Sequence, residues 1–232
     1  MNSDTLVVLR KTSLVDYPAL LSAVIFFPGC NLRCPWCHNR ELVLNASADY
    51  IRLEKALTHI EKRKKVLGGV VLSGGEPTLF TGLGELITLI KSFGLKIKLD
   101  TNGLLPLVLE ALFKTDKTKP DYIAMDLKTL PERYNELQPS NQAAHLNNGI
   151  NKNNTADPGE AIKHSAALIR ASGICHEFRS LALPPGPNKD HPHFFDDEVK
   201  KSLALLTGDS PWFIRPFLPG NCIDAAWDTD HS

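Results

Sequence analysis

The chain has 232 residues, enough for one large domain with a substantial core or for two small domains. Its 26 Lys and Arg residues balance its 26 Asp and Glu residues, so no net charge attracts it to nucleic acid or to an anionic membrane. No apolar run approaches the roughly 18 residues of a membrane-spanning helix, and no basic segment leads into an apolar one near Met1. These features predict a soluble cytoplasmic protein.

The first strongly predicted strand covers residues 21–27, and Pro28-Gly29 would end it at its carboxyl end. The loop that follows contains Cys30, Cys34 and Cys37, spaced C-x3-C-x2-C. A short loop can direct three thiols toward one point. This loop is therefore the first candidate metal site.

Short apolar strands then alternate with amphipathic helices along the chain. The other predicted strands are residues 70–72, 95–99, 122–125, 175–183 and 212–215. The predicted helices are residues 49–65, 82–93, 107–114, 159–172 and 195–206. We expect Asp49 to cap the first helix and Gly94 to end the second. The alternation indicates a parallel α/β sheet, whose loops at the carboxyl ends of the strands bind ligands.

Residues 129–158 interrupt this pattern with a weakly apolar stretch rich in asparagine. Its asparagines include Asn141, Asn147, Asn148, Asn151, Asn153 and Asn154. We expect a surface excursion that is partly mobile. No internal repeat or convincing linker divides the chain, so we predict a single domain over residues 1–232.

Spacing alone leaves three interpretations of the cysteine loop open. Zinc prefers four Cys or His ligands, and His38 is the adjacent candidate for the fourth. A C-x2-C redox site would leave Cys30 without a role. An iron-sulfur cluster takes cysteine thiolates, and three of them would leave one iron open to another ligand. The isolated Cys175 and Cys222 are expected to be small buried side chains in a reducing compartment.

Polar motifs follow three of the predicted strands. They are Ser73-Gly74-Gly75-Glu76-Pro77, Asp100-Thr101 and Asp126-Leu127-Lys128. Taken alone, the first is a Gly-Gly turn and the other two are polar strand ends. Four histidines have no partner at ligand spacing and are expected at the surface: His59, His145, His191 and His193.

The order of these motifs resembles the radical S-adenosylmethionine (SAM) superfamily, whose cluster signature is C-x3-C-x2-C with an aromatic residue before the last cysteine, here Trp36. The extension Cys37-His38-Asn39 resembles the activating enzymes of glycyl-radical enzymes. Two further segments, Lys11–Pro18 and Phe26–Asn39, are similar to the anaerobic ribonucleoside-triphosphate reductase activating protein family. The resemblance runs from about residue 11 to residue 128 and continues more weakly to about residue 224.

This resemblance implies an α/β fold of the partial, open β/α barrel type. It implies one 4Fe-4S cluster on Cys30, Cys34 and Cys37, with Trp36 among the cofactor-binding residues. The family's Gly-Gly-Glu motif binds the methionine amino group of SAM. By resemblance, Gly74 and Gly75 would bring backbone carbonyls close to this ammonium group, and Glu76 would complement its charge.

The other strand-end residues also take roles by resemblance. Asp100, Thr101 and Asp126 would hold a monovalent cation near the methionine carboxylate, whereas Lys128 would contact the cofactor directly. Arg179 matches a family arginine that reaches the cofactor. The alternative interpretation is that Arg179 is a surface or ion-paired residue without a role in cofactor binding. Two residues of the opening segment, Asp16 and Tyr17, would border the substrate entrance.

The implied activity is anaerobic radical chemistry, with no catalytic side chain beyond cluster and cofactor. An electron from a flavodoxin or ferredoxin would cleave SAM to methionine and a 5′-deoxyadenosyl radical, which would take a hydrogen from a glycine of a partner glycyl-radical enzyme. One enzymatic alternative is the same chemistry on a small molecule or another peptide. A non-enzymatic alternative is an iron-sulfur electron carrier or a zinc-binding module, which would have no use for the Gly-Gly-Glu motif.

The sequence departs from some relatives in two places. Residues 215–220 read Arg-Pro-Phe-Leu-Pro-Gly, where those relatives place a histidine that contacts the cofactor. The additional cysteine clusters of certain glycyl-radical activating enzymes are also missing, so one cluster is expected.

Overall fold

The computed structural model describes residues 4–46, 49–139, 157–186 and 193–228. Its strands are β1 (Leu6–Ser13), β2 (Ser22–Phe27), β3 (Ile51–Arg52), β4 (Gly69–Gly74), β5 (Lys96–Thr101), β6 (Tyr122–Asp126), β7 (Cys175–Ala182) and β8 (Trp212–Pro216). Its helices are α1 (Arg40–Val43), α2 (Leu53–Lys62), α3 (Leu83–Ser92), α4 (Pro106–Phe113), α5 (Pro158–Ala171) and α6 (Asp197–Thr207). None of these helices combines the length and the apolar character needed to cross a membrane.

All eight strands form one sheet in the order β3-β1-β2-β4-β5-β6-β7-β8. The strands from β2 through β4 to β8 run parallel, and helices connect them. Within the described residues β3 and β8 lie at opposite edges, so the sheet does not close. The predicted partial, open β/α barrel is confirmed.

The antiparallel edge of the sheet was not predicted. Strand β1 pairs antiparallel with β2, and β3 pairs antiparallel with β1 through Leu6↔Arg52 and Val7↔Ile51. This pairing draws residues 51–52 into the sheet, so α2 begins after Arg52 and Asp49 is not its cap. Strand β1 is difficult to predict because half of it is exposed and its pattern is mixed rather than apolar.

The other predicted helices and strands match the observed ones to within one or two residues. Helix α3 ends at Ser92, and Gly94 follows its C-cap with a φ of 81°. This left-handed conformation is typical of glycine just past a helix, as predicted.

Two faces of the sheet have different environments. The outer face packs against the helices and forms the main core, with fully buried side chains such as Ile25, Leu72, Leu99, Ile123 and Phe178. Burying one such side chain stabilises the fold by about 1.5–3 kcal/mol. The inner face carries a small apolar cluster at the amino ends of the strands, containing Tyr17, Val24 and Val71. Its other half, at the carboxyl ends, is polar.

Tyr17 closes the amino-terminal end of the inner face. Its ring lies 6.0 Å from that of Tyr122, and Gly69 at the start of β4 leaves space for it. Asp16 pairs with Arg10 nearby on β1. These residues therefore lie at the opposite end of the strands from the cysteine loop, and their place at a substrate entrance stays a prediction.

The predicted excursion begins later than residue 129. Residues Pro131–Leu137 form a 3-10 helix in which Tyr134 is fully buried. The Tyr134 hydroxyl accepts a hydrogen bond from Lys128 N, and the carbonyl of Leu137 accepts one from Arg33 N. Residues 140–156, with the asparagines named above and His145, lie outside the described residues, as does His191.

Candidate functional site

A cavity of about 390 Å³ lies at the carboxyl ends of the parallel strands. The cysteine loop and the residues that end β4, β5, β6 and β7 line it. Every residue predicted to bind metal or cofactor lies on its wall: Cys30, Cys34, Trp36, Cys37, Gly74, Gly75, Glu76, Asp100, Thr101, Asp126, Lys128 and Arg179. The fold thus brings together motifs that are far apart in sequence.

The three thiols of the cysteine loop are unpaired, and two of them are buried. Cys30 and Cys34 are buried, whereas Cys37 is half-buried, and none forms a disulfide. Gly29 adopts a φ of 80°, which turns the chain out of β2 into the loop. Burial raises the pKa of Cys30 to about 12 and also raises that of Cys34, and the nearby charge of Lys128 opposes this rise at Cys34. These thiols would ionise only with a metal or another positive charge beside them.

The donor set suits an iron-sulfur cluster better than a single ion. No three Cys, His, Asp or Glu side chains of the described residues lie close enough together to hold one metal ion. The candidate fourth zinc ligand, His38, packs its ring 5.5 Å from that of Phe217. Three soft thiolates on one loop are typical cluster ligands, and a cluster is wider than one ion. The residues therefore fit a cluster with three cysteine ligands.

The Gly-Gly-Glu motif packs directly against the cysteine loop. Gly75 N donates to Phe27 O, and Glu76 N donates to Gly29 O, both at 2.9 Å. A Cβ on Gly75 would collide with the Gly29 carbonyl, and one on Gly74 would collide with the Phe27 backbone. Both positions therefore require glycine for close backbone approach.

Glu76 is buried, with 1% of its surface exposed. Its carboxylate accepts hydrogen bonds from Thr78 N (3.1 Å), Thr78 Oγ1 (2.5 Å), Thr101 Oγ1 (2.8 Å) and Asn102 N (2.7 Å). Burial raises its pKa, and these hydrogen bonds oppose the rise. The carboxylate thus joins the end of β4 to the end of β5 and is satisfied by protein donors.

Ion pairs connect the ends of β5, β6 and β7 on the inner face. Arg179 Nε donates to Asp126 Oδ1 at 2.8 Å, and Arg179 Nη1 lies 3.6 Å from Asp100 Oδ1. Lys128 Nζ donates to Asp126 Oδ2 at 3.0 Å. Burial alone would raise the pKa of Asp126, but the charges of Arg179 and Lys128 outweigh burial and hold it well below its usual range. Arg179 is thus ion-paired and also faces the cavity.

Lys98 belongs to the same set of charges but was not identified from the sequence. Its Nζ donates to Asp100 Oδ1 at 2.6 Å, and its side chain is 3% exposed. The ammonium also lies 6.0 Å from the centre of the Tyr122 ring. Residues two apart on a strand lie on the same face of the sheet, so the sequence could have predicted that Lys98 lies beside Asp100.

The C-terminal segment, residues 217–228, packs on the cysteine loop, although it forms no strand or α-helix among the described residues. Asp224 N donates to Pro35 O at 2.9 Å, and Asn221 Nδ2 donates to His38 O at 3.3 Å. The ring of Trp227 lies 5.6 Å from that of Trp36. Tertiary packing, rather than a local pattern, determines this arrangement.

Four other residues were either predicted differently, predicted correctly or missed. His193 was expected at the surface but is 5% exposed, with its ring 5.1 Å from that of Trp36. Cys222 is buried as expected, in the C-terminal segment, whereas Cys175 is exposed. Asn102 was missed as a site residue; its Nδ2 lies 3.7 Å from Cys30 Sγ and donates to Asn31 Oδ1.

Comparison with known proteins agrees with this geometry. Residues 24–196 match the family model of the radical SAM superfamily. A protein of Methanocaldococcus jannaschii, named as a candidate glycyl-radical enzyme activating enzyme, is 38% identical over 218 residues, which cover 91% of this chain and 79% of that protein. A 7-carboxy-7-deazaguanine synthase of Hyperthermus butylicus is 36% identical over 86 residues, 37% of this chain and 36% of that protein.

The solved structure of native anSMEcpe with bound AdoMet is similar in fold. The two share 17% sequence identity and superpose with a TM-score of 0.55 over 83% of this chain. This chain spans 50% of the length of that one. The similarity concerns the fold alone.

Proposed function

Because the chain belongs to the radical SAM superfamily, we propose that it activates a glycyl-radical enzyme by removing a hydrogen atom from a glycine of that partner. One observation carries the proposal. The cysteine loop, whose three thiols form no disulfide, lines the same cavity as the Gly-Gly-Glu and Asp-Thr motifs at the strand ends. The named relative that matches most of this chain supports the choice of reaction. The anaerobic ribonucleoside-triphosphate reductase is the first partner to test, because residues 11–18 and 26–39 resemble its activating proteins.

Different residues of the cavity would bind the cluster and SAM. Cys30, Cys34 and Cys37 would hold a 4Fe-4S cluster. When bound, the cluster and SAM would supply the radical chemistry, with one electron from a flavodoxin or ferredoxin. The carbonyls near Gly74 and Gly75 would accept from the methionine ammonium, and Glu76, held in place by four protein donors, would complement its charge.

Two groups of residues orient the cofactor and exclude water. Lys128 and Arg179 lie on the cavity wall with their charges fixed by Asp126, so they offer donors to a carboxylate or a ribose hydroxyl. The C-terminal segment covers the cysteine loop from outside, with Trp227 packed on Trp36. Shielding of this kind protects a reactive radical from solvent.

The first experiment tests SAM cleavage. The purified chain is reconstituted anaerobically with iron and sulfide, reduced with dithionite and supplied with SAM, and 5′-deoxyadenosine is measured by chromatography. We expect cleavage by the wild type and by Cys175→Ala, which removes an exposed thiol outside the cavity. Cys34→Ala should abolish it. If the wild type yields no more 5′-deoxyadenosine than Cys34→Ala, the chain is not a radical SAM enzyme.

The second experiment tests the partner. The reduced chain is incubated with SAM and each glycyl-radical enzyme of the source organism, and the glycyl radical is recorded by electron paramagnetic resonance. A radical on the ribonucleotide reductase supports the proposed partner. A radical on another glycyl-radical enzyme keeps the proposed function and identifies that enzyme as the partner instead. SAM cleavage without any glycyl radical would instead favour a small-molecule or other peptide substrate.

A further inference from the structure

The residues expected to hold a monovalent cation already have protein partners. Both carboxylate oxygens of Asp126 are paired, one with Arg179 and the other with Lys128. The Thr101 hydroxyl donates to Glu76 Oε1 at 2.8 Å and accepts from Gly103 N at 3.1 Å. These atoms therefore do not form an open oxygen cage of the kind that an alkali metal ion requires.

Asp100 has its own cation in Lys98. The ammonium lies 2.6 Å from Asp100 Oδ1, within a side chain that is 3% exposed, and 6.0 Å from the centre of the Tyr122 ring. A buried lysine is costly unless it is paired, so the contact with Asp100 and the ring is what holds this charge inside the protein. Lys98 is thus fixed where it neutralises Asp100.

The buried charges at the ends of β5, β6 and β7 pair with one another without an added ion. The cations are Lys98, Lys128 and Arg179. The anions are Asp100, Asp126 and Glu177, the last of which accepts from the Tyr122 hydroxyl at 2.7 Å. An added positive charge here would be repelled by the three cations that already lie on these carboxylates.

We propose that the chain supplies its own cation at this site: the buried ammonium of Lys98 takes the place of a monovalent metal ion beside Asp100, so neither Na⁺ nor K⁺ is needed. That the neighbouring cavity binds SAM rests on the proposed function. The replacement of an ion by Lys98 rests on the contacts of the protein alone.

The test uses the full chain without cluster or SAM, so its result does not depend on activity. The melting temperature is measured in potassium, sodium or tetramethylammonium chloride at one ionic strength of about 0.1 M, which keeps general screening constant. Tetramethylammonium is too large and too weakly ligating to replace a bare ion. We expect the wild type to melt at the same temperature in all three salts.

Two substitutions separate charge from volume. Lys98→Ala opens space beside Asp100 and should lower the melting temperature by roughly 5 °C or more in tetramethylammonium, with part of the loss recovered in K⁺ or Na⁺. Lys98→Met fills the space without a charge and should show no such recovery. Lys96→Ala is the control, because it removes an exposed lysine two residues earlier on the same strand and face.

Two outcomes would overturn the inference. A wild type that is stabilised by K⁺ or Na⁺ relative to tetramethylammonium would bind an ion despite Lys98, and this measurement needs no variant to fold. A Lys98→Ala chain that folds but gains nothing from either ion would show that the position is not equivalent to a cation site. These melting temperatures are measured without SAM, so they test the role of Lys98 even if the separate assay detects no SAM cleavage.

Discussion

At Gly75 the backbones of two separate motifs pack directly against each other. Gly75 stands against the Gly29 carbonyl, so any side chain at this position would force β4 and the cysteine loop apart. Sequence alone shows a Gly-Gly turn here, whereas the structure shows why glycine is required. The requirement is steric and comes from a neighbour that is distant in sequence.

Gly75→Ala should therefore reduce cluster incorporation, because the cysteine loop must shift to make room for the methyl group. The measurement is iron per chain after anaerobic reconstitution, together with the free energy of unfolding of the cluster-free protein. Gly84→Ala is a matched control: its Cβ would meet Thr118 Cγ2 at 3.4 Å, and alanine is favoured within α3. Equal iron content in both variants would contradict the steric argument.

That Glu76 serves the cofactor stays a prediction, and its four hydrogen bonds give it a second role in holding the loops together. Glu76→Gln replaces one acceptor oxygen by a donor that faces other donors. We expect a loss of about 1–3 kcal/mol in the free energy of unfolding of the cluster-free protein, measured with urea. Glu54→Gln, at an exposed position of α2, should change it little.

A different result would reassign Glu76. If Glu76→Gln leaves stability unchanged and weakens SAM binding, the carboxylate acts directly on the cofactor ammonium. Equilibrium dialysis of SAM against the reconstituted protein provides that measurement.

At the scale of elements, the C-terminal segment shows how irregular structure can support a site. It lacks a strand or an α-helix beyond β8 within the described residues, yet its backbone bonds to Pro35 and its tryptophan packs on Trp36. Such a segment has no periodic pattern to predict it. Its position follows from the apolar surface that the cysteine loop presents.

Trp227→Ala should destabilise the cluster-free protein by about 3–5 kcal/mol, because a fully buried tryptophan is removed. In the reconstituted protein we expect the cluster absorbance to bleach faster when oxygen is admitted, since Trp227 shields the loop. Leu218→Ala removes an apolar side chain of the same segment that is 67% exposed and should change neither quantity. Bleaching at the wild-type rate in Trp227→Ala would exclude a shielding role.

At the scale of the whole molecule, the inner face of the open barrel is divided along its length. Apolar and aromatic side chains fill the amino-terminal end around Tyr17, and paired charges occupy the carboxyl-terminal end beside the cavity. The charges come from three adjacent strands, so they also tie those strands together. The stability of the molecule should consequently depend on their ionisation.

Asp126 should make the protein sensitive to acid. Its pKa is lower in the folded state than the value of about 3.9 for a free aspartate, so its pairing stabilises the fold above that pH and the stabilisation is lost as the pH falls below it. Asp126→Asn should flatten this part of the decline, measured as the free energy of unfolding from neutral pH down to about pH 3. Asp116→Asn, at an exposed position, should follow the wild-type curve. Parallel curves for all three proteins would contradict the assignment.

Local patterns were sufficient for much of the fold. Buried parallel strands are short apolar runs and their helices are amphipathic, so both could be located to within one or two residues. The half-exposed β1 and the two-residue β3 have weaker hydrophobic patterns. Strand β3 joins the sheet only by pairing antiparallel with β1, a contact between segments that are distant in sequence. The local pattern therefore predicted Asp49 as a helix cap, whereas residues 51–52 form strand β3 before the helix begins.

The sequence by itself determined the family resemblance, the parallel core and the residues of the cavity wall, because each of these depends on spacing along the chain and on strand ends that meet at one edge. Only the tertiary structure decided which partner each side chain takes. It turned Glu76 toward Thr78 and Thr101, placed Lys98 on Asp100 and brought Trp227 onto Trp36. Hydrogen bonds and ion pairs act over a few ångströms, and residues distant in sequence reach that range only after the chain has folded.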